Sequence, residues 1–433
     1  MSTKNILYLQ TMGEIPVDVP EDSFISIERN RAPEIYSLGF QPAKTIPEIP
    51  RWFLNKYASQ RWKVLDPFAG AGTMIMEIIS FGTWPFWTDY HPFSQLICRV
   101  KTTEFDLSLL QRACTSIVTK ASTRGKAASS VAFANKDFWF QEEVCEALEL
   151  LRDEILCSDR SVRDFLLLVF ASTVRKVSNM NDGMLLAARR PHIKAIPKRT
   201  RDDVFQWFRK YANRGLSAVQ EWQSLCGGAQ TKAIKLAEDD ARQLNGDCEF
   251  NAIVTSPPYV NAIDYVWASK FELHWLGFVA NNSERLELYS REIGTERIPG
   301  KECREIGETG HGYLDNLIRD IYLGHLYRAS PRQNHLRARV VWKYFIDMQT
   351  HLKAAYRVLK PGGLYCYAVG DSCRICGVEV PVASLLSDFA EQVGFLKRFQ
   401  FHLLLKNRKL NVPRNVAWAD TIKHDTIVVL ERQ

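Results

Sequence analysis

Three times along this chain a short apolar run gives way to a turn and then to apolar positions at helical spacing. In WKVLDPFAGAGTMIMEIIS, Lys63 to Leu65 reads as a strand and Thr73 onward as a helix. In FWTDYHPFSQLICRVK a short strand ends at Asp89 and a helix begins after Pro92. In FNAIVTSPPY a buried strand leaves through two consecutive prolines. Strand, turn and helix in repeated order are the grammar of a parallel α/β sheet. Further on, HLKAAYRVLKPGGLYCYAVGDS predicts a helix stopped by Pro361, a turn at Gly362 and Gly363, and a strand through Tyr365 to Val369. HDTIVVLERQ predicts a last strand, antiparallel and at the far side of the sheet.

Between the second and third units the periodicity is mostly helical, as in EEVCEALELLRDEIL and VRDFLLLVFASTVRKV, and the stretch is too long for an ordinary crossover. It predicts an inserted helical subdomain. A second insertion, polar and charged, carries the glycine-rich GETGHGY. The expected divisions are therefore 1–103, 104–230 (helical insertion), 231–280, 281–339 (polar insertion) and 340–433.

At 433 residues, 46% hydrophobic and 24% charged, the chain has enough apolar material for a sizeable core and is neither disordered nor fibrous. Lysine and arginine exceed aspartate and glutamate by 56 to 49, a mild basic bias compatible with a nucleic-acid partner. The basic residues gather in ARRPHIKAIPKRTRDDVFQWFRKYANR, where Arg189, Arg190, Lys198, Arg199, Arg201 and Lys210 are candidate DNA contacts. The competing reading is a solvated helical face with Trp207 and Phe208 in the local core. The polar insertion, with Arg291 and Arg297, is an equal candidate for target recognition. The ten cysteines lack a repeated spacing and MSTKNILYLQ lacks an export signal, so a cytoplasmic, reducing compartment is expected. No membrane span is expected. The one close cysteine pair, Cys373 and Cys376, reads as loop thiols, and no metal is expected.

In DPFAGAGT, small residues let the backbone turn tightly off a strand and approach a ligand. By itself that turn suits a dinucleotide, a phosphate or S-adenosylmethionine. Asp89 is placed to accept from ribose hydroxyls, Tyr90 to lie against an adenine, and Asp240 in EDDARQL to receive the adenine amine. Pro257 and Pro258 hold the backbone rigid and donate no hydrogen, leaving nearby carbonyls as acceptors for an NH2 group. Ser256 adds an acceptor and Tyr259 a flat face for a planar ring.

DPFAGAGT followed by TSPPY resembles the amino-methyltransferases that methylate exocyclic nitrogens of DNA bases, and SPPY resembles the cytosine-N4 branch more than the adenine-N6 branch. GFQPAKTIPEIPRWFL resembles that family's cofactor-flanking helix, while DYHPFS and DDARQL are similar to its further cofactor contacts. The resemblance implies a doubly wound, mostly parallel, seven-stranded class I methyltransferase sheet carrying the two insertions. It implies S-adenosylmethionine held by Asp66, Pro67, Phe68, Gly70, Gly72, Thr73, Asp89, Tyr90 and Asp240. It also implies a flipped cytosine of double-stranded DNA held by Ser256, Pro257, Pro258 and Tyr259, in a nucleoid-associated enzyme whose cognate restriction endonuclease acts separately. Adenine-N6 methylation, RNA amino-methylation and non-catalytic nucleic-acid binding stay open as alternatives. A cytosine-C5 mechanism needs a cysteine after a proline, and no Pro-Cys pair occurs.

Overall fold

The structure, a computed structural model, describes residues 7–181, 183–189, 195–226, 232–260, 263–371, 373–405 and 422–433. Eleven strands form among them: β1 (Tyr8–Met12), β2 (Phe24–Glu28), β3 (Lys63–Asp66), β4 (Trp84–Trp87), β5 (Ile234–Lys235), β6 (Phe250–Thr255), β7 (Leu359–Gly370), β8 (Cys373–Ile375), β9 (Val378–Val380), β10 (Phe395–Leu404) and β11 (His424–Arg432). Nine of them make one sheet in the order β1-β2-β10-β11-β7-β6-β3-β4-β5, and β8 pairs with β9 as a separate hairpin. Every neighbouring pair in the large sheet is parallel except the two that β11 makes.

The α/β class and mostly parallel sheet agree with expectation, but the strand count does not. There are nine strands rather than seven because β1 and β2 extend the sheet beyond β10. That pairing joins the first residues of the chain to nearly the last, a contact no local pattern carries. β11 is antiparallel as expected, yet it lies between β7 and β10 rather than at the far side. Ile427 to Leu430 are completely buried, as a strand flanked on both edges and covered on both faces requires.

Both faces are covered by helices: α1 (Glu48–Tyr57), α2 (Thr73–Phe81), α3 (Pro92–Thr102), α4 (Leu107–Thr123), α5 (Lys136–Trp139), α6 (Glu142–Leu156), α7 (Arg160–Val177), α8 (Arg201–Cys226), α9 (Tyr265–Ala268), α10 (Lys270–Trp275), α11 (Asn282–Arg291), α12 (Gly312–Leu323), α13 (Pro331–Val358) and α14 (Val382–Val393). Alternation along the strands sorts the core into two layers. Val64, Val254 and Cys366 pack with α1 and α2, whereas Leu65, Ile253 and Tyr365 pack with α13 and α14. The helical stretch α4–α8 shares one apolar core with α2 and α3. Phe208 is completely buried in that core, contributing about 1.5–3 kcal/mol. Helix α13 runs unbroken through positions 339 and 340.

Helix α13 ends at Val358, ahead of Pro361, and the register then jumps from Phe250 opposite Leu359 to Ala252 opposite Leu364. Residues between are bulged out, with Gly362 at φ +73°. Cys373 lies on β8 rather than in a loop and Cys376 in the β8–β9 turn, and both are buried in the core around that hairpin. Among the described residues no three His, Cys, Asp or Glu side chains gather as a ligand set, and no helix is long and apolar enough to cross a membrane.

Candidate active site

Strands β3, β4 and β6 are neighbours whose carboxyl ends open on one cavity. Ligands of open parallel sheets bind at that edge. After β3 the chain turns through Gly70 and Gly72, both left-handed at φ +49° and +77°, before α2 begins at Thr73. Asp66, Pro67, Phe68, Gly70 and Thr73 line the cavity. Gly72 does not line it; its place is the turn itself, where an added Cβ would stand 3.5 Å from Cys98 Sγ. The loop amides are not all free, since Gly70 N–H donates to Asp89 Oδ2 at 2.8 Å and Phe68 N–H to Asp66 Oδ1 at 3.2 Å. Lys101, buried, donates to the Ala71 carbonyl at 2.8 Å and holds the loop from behind.

Thr255, the first letter of TSPPY, donates its hydroxyl to Asp66 Oδ1 at 2.6 Å. That bond joins the two motifs directly across β3 and β6. Asp66 is 1% exposed, and its Oδ2 has no partner among the described residues. Burial pushes its carboxyl up to about 7, against the pull of Thr255 and the Phe68 amide. Beyond Thr255, Ser256, Pro257, Pro258 and Tyr259 all line the cavity. Ser256 donates to the Ala368 carbonyl on β7 at 3.1 Å, which leaves its oxygen lone pairs as acceptors. Tyr259 donates to Asp425 Oδ1 on β11 at 2.7 Å. Its ring lies so close to Gly370 that a Cβ there would stand 2.7 Å from Cε2.

Strand β4 stops at Trp87, so Asp89 and Tyr90 lie just past the strand end rather than on it. Asp89 accepts from the amides of Gly70 and His91, both at 2.8 Å, and burial pushes its carboxyl up to about 6. The Tyr90 hydroxyl is buried without a partner among the described residues. His91 Nε2 meets Ser269 Oγ at 2.9 Å while Nδ1 has no partner among the described residues, and burial lowers the ring to about 4, so it is neutral. All three line the cavity. Strand β5 is only two residues long, and Asp240 lies beyond it as the cap of a short 3-10 turn, again on the cavity wall. Its two oxygens accept Arg242 N–H, Nε and Nη2 at 2.9, 3.0 and 2.7 Å. Burial works to raise that carboxyl, and the Arg242 bonds outweigh it, leaving it below its ordinary value.

Sequence reasoning missed several residues of the wall: Gln41, Lys44, His91, Tyr265, Glu292 and Ile293. Lys44 belongs to GFQPAK, and its ammonium donates to the carbonyls of Tyr36 and Gly39 at 3.2 and 3.0 Å. Nothing in local pattern marks Tyr265 or Glu292. Of the basic cluster, Arg190 lies outside the described residues. Arg189 donates to the Phe138 carbonyl at 2.7 Å and Arg201 to that of Arg124 at 3.1 Å, and the Arg199 amide donates to Gln141. Lys198 and Lys210 are exposed, with Lys210 4.6 Å from the Trp207 ring centre. None of the five described ones lines the cavity.

The chain is 24% identical over 410 residues to the Type II methyltransferase M.MvaI of Kocuria varians, covering 86% of this chain and 85% of that protein. Its likeness is to Type II methyltransferases. M.AvaI of Nostoc sp. is 27% identical over 180 residues, 39% of this chain and 36% of its own. M.BsoBI of Geobacillus stearothermophilus is 26% identical over 183 residues, 38% and 35% of the two chains. Both are named Type II methyltransferases. No family model matches the chain.

Proposed function

We propose that the protein is an S-adenosylmethionine-dependent, site-specific DNA methyltransferase acting on the N4 amine of a flipped cytosine. The observation that carries this reading is the Thr255–Asp66 hydrogen bond, which holds the TSPPY shelf against the glycine loop in one cavity. The residues fit the cofactor: the bare, buried Oδ2 of Asp66 suits a cationic amino group, and Asp89, already braced by two amides, keeps lone pairs for ribose hydroxyls. Tyr90 and Asp240 line the nucleoside end, and Phe68 and Thr73 the loop end. When bound, the cofactor supplies an electrophilic sulfonium methyl group.

The chain's own residues prepare the acceptor. The lone pair of a cytosine amine is delocalised into the ring, so the amine is a poor nucleophile. Hydrogen bonds from it to Ser256 Oγ and the Pro257 carbonyl favour a pyramidal nitrogen with its lone pair turned out of the ring plane. Fixing that orientation supplies up to roughly 7–11 kcal/mol in well-oriented cases. The proton leaves after transfer, so no carboxylate base is needed where serine stands at 256. Flipping the base costs a few kcal/mol, and stacking on Tyr259 returns about 1–3 kcal/mol. Lys198, Lys210 and the other basic residues of the 189–210 stretch are the proposed phosphate contacts. The Type II designation of the relatives supports a place in a restriction–modification pair, with the nuclease as a separate protein.

The test is sequencing, with base-modification detection, of DNA from a host expressing the protein. N4-methylcytosine at one short motif is expected. N6-methyladenine alone would overturn the cytosine assignment, and unmodified DNA and RNA would overturn the catalytic reading.

A further inference from the structure

One end of the cavity is closed by residues of the second inserted stretch. Glu292 follows α11, is 3% exposed, and lines the cavity beside Tyr265, Arg291 and Ile293. Its Oε1 accepts the Tyr265 amide at 2.9 Å; the Thr295 hydroxyl and the Val266 amide lie close enough to pull the carboxyl's pKa down, yet Oε2 is buried with no hydrogen-bond partner among the described residues. The Tyr90 hydroxyl, near enough to feel the charge of Glu292, is bare in the same way. Leaving a buried polar atom unsatisfied costs about 1–3 kcal/mol, so a bound group that meets these atoms recovers that cost. Asp240, the acceptor that sequence reasoning offered for an adenine amine, already takes three N–H bonds from Arg242, which Asp347 holds from the other side at 2.9 Å.

Burial, and then the charge of Asp264, push the Glu292 carboxyl up to about 8. Near pH 7 it therefore carries a proton and presents an O–H donor beside a C=O acceptor. An aminopurine edge is the complement, with a ring nitrogen that accepts beside an exocyclic amine that donates. Resting on the cofactor reading above, we propose that Glu292 binds the adenine edge of the nucleoside cofactor, making the second inserted stretch part of the cofactor site. A flipped cytosine shows a similar edge, but the neighbours of Glu292 are Tyr265, Tyr90 and Asp264, and the adjoining Arg291 pairs with Asp239 at 2.6 Å. None of these belongs to TSPPY.

The test is calorimetry on the full chain with S-adenosylhomocysteine and with S-inosylhomocysteine, which carries an oxygen in place of the amine and N–H in place of the ring acceptor. Wild type is expected to prefer the adenosyl form by about tenfold, the equivalent of one satisfied hydrogen bond. Glu292→Ala is expected to lose about tenfold for the adenosyl form and most of that preference. Glu292→Gln keeps an N–H and a C=O in place and is expected to stay within about threefold of wild type. Thermal unfolding of each variant separates lost binding from lost folding. Unchanged adenosyl affinity in Glu292→Ala, or a preference that survives it, overturns the proposal. A wild-type protein that binds neither ligand overturns the cofactor reading itself.

Discussion

At one end of the cavity, Asp66, Thr255 and Ser256 hang from strands that are hydrogen-bonded neighbours, so the sheet's own register brings them together. At the other, Asp240, Tyr265, Arg291 and Glu292 come from a short turn, a short helix and the exit of α11 rather than from strand ends. Ion pairs replace the sheet there: Arg242 bridges Asp240 and Asp347, and Arg291 holds Asp239. The first end is a rigid shelf whose groups can be removed without moving the scaffold. The second is held by charges that depend on one another, so removing one strands its partners.

The sharpest test of that contrast is Ser256→Ala. Loss of one preorganised hydrogen-bonding group at a reacting centre costs about 10²–10³ in turnover. Affinity for S-adenosylhomocysteine is expected to stay within about twofold, because the hydroxyl's structural partner among the described residues is the Ala368 carbonyl. A matching loss of cofactor affinity would contradict the assigned role. Arg242→Met is the counterpart at the other end. It leaves Asp240 and Asp347 without their shared cation, and a fall of roughly 3 kcal/mol in urea-unfolding stability is expected.

Asp66→Asn probes the seam between the motifs. Cofactor affinity is expected to fall about tenfold, as for a lost charge-assisted hydrogen bond. Wild-type affinity should rise as pH climbs through about 7, where the Asp66 carboxyl ionises to meet a cationic amino group. Asp89, at about 6, adds to the same trend from lower pH. Binding below pH 7 therefore releases protons, which calorimetry in two buffers detects, and the asparagine variant should lose the upper part of the rise. Gly370→Ala drives a methyl group into the Tyr259 ring and is expected to lower turnover about tenfold by displacing it, with cofactor affinity unchanged. The smallest effect is expected for Lys210→Ala. DNA binding should weaken slightly and equally across sequences, with the salt slope reduced by about one if this lysine meets a phosphate.

The first end was largely legible in the sequence, because each of its motifs is continuous along the chain. A glycine turn must follow a strand to be useful, and two prolines must leave one, so DPFAGAGT and TSPPY announce both their local shape and their place at a strand's end. Their shared cavity follows from the parallel sheet that strand–turn–helix repetition implies. Even there, sequence pattern did not show that Thr255 bonds Asp66 or that Tyr259 needs a glycine at 370.

Sequence by itself determined the α/β class, the order of the motifs and the local shape of the loop and shelf, since these rest on periodicity and backbone constraints within about ten residues. Tertiary structure alone decided the rest. The two added strands pair residues from opposite ends of the chain, and β11 slots between two earlier strands. The 104–230 stretch merges with the core of α2 and α3 instead of standing apart, which makes part of its aromatic content packing. Glu292 becomes a cavity residue only because the exit of α11 folds back beside Tyr265, whose amide it accepts. Asp240 is held by Arg242 only two residues along, but Glu292 meets Tyr265, 27 residues away, and keeps an oxygen without a hydrogen-bond partner among the described residues, which no local rule of spacing or propensity encodes.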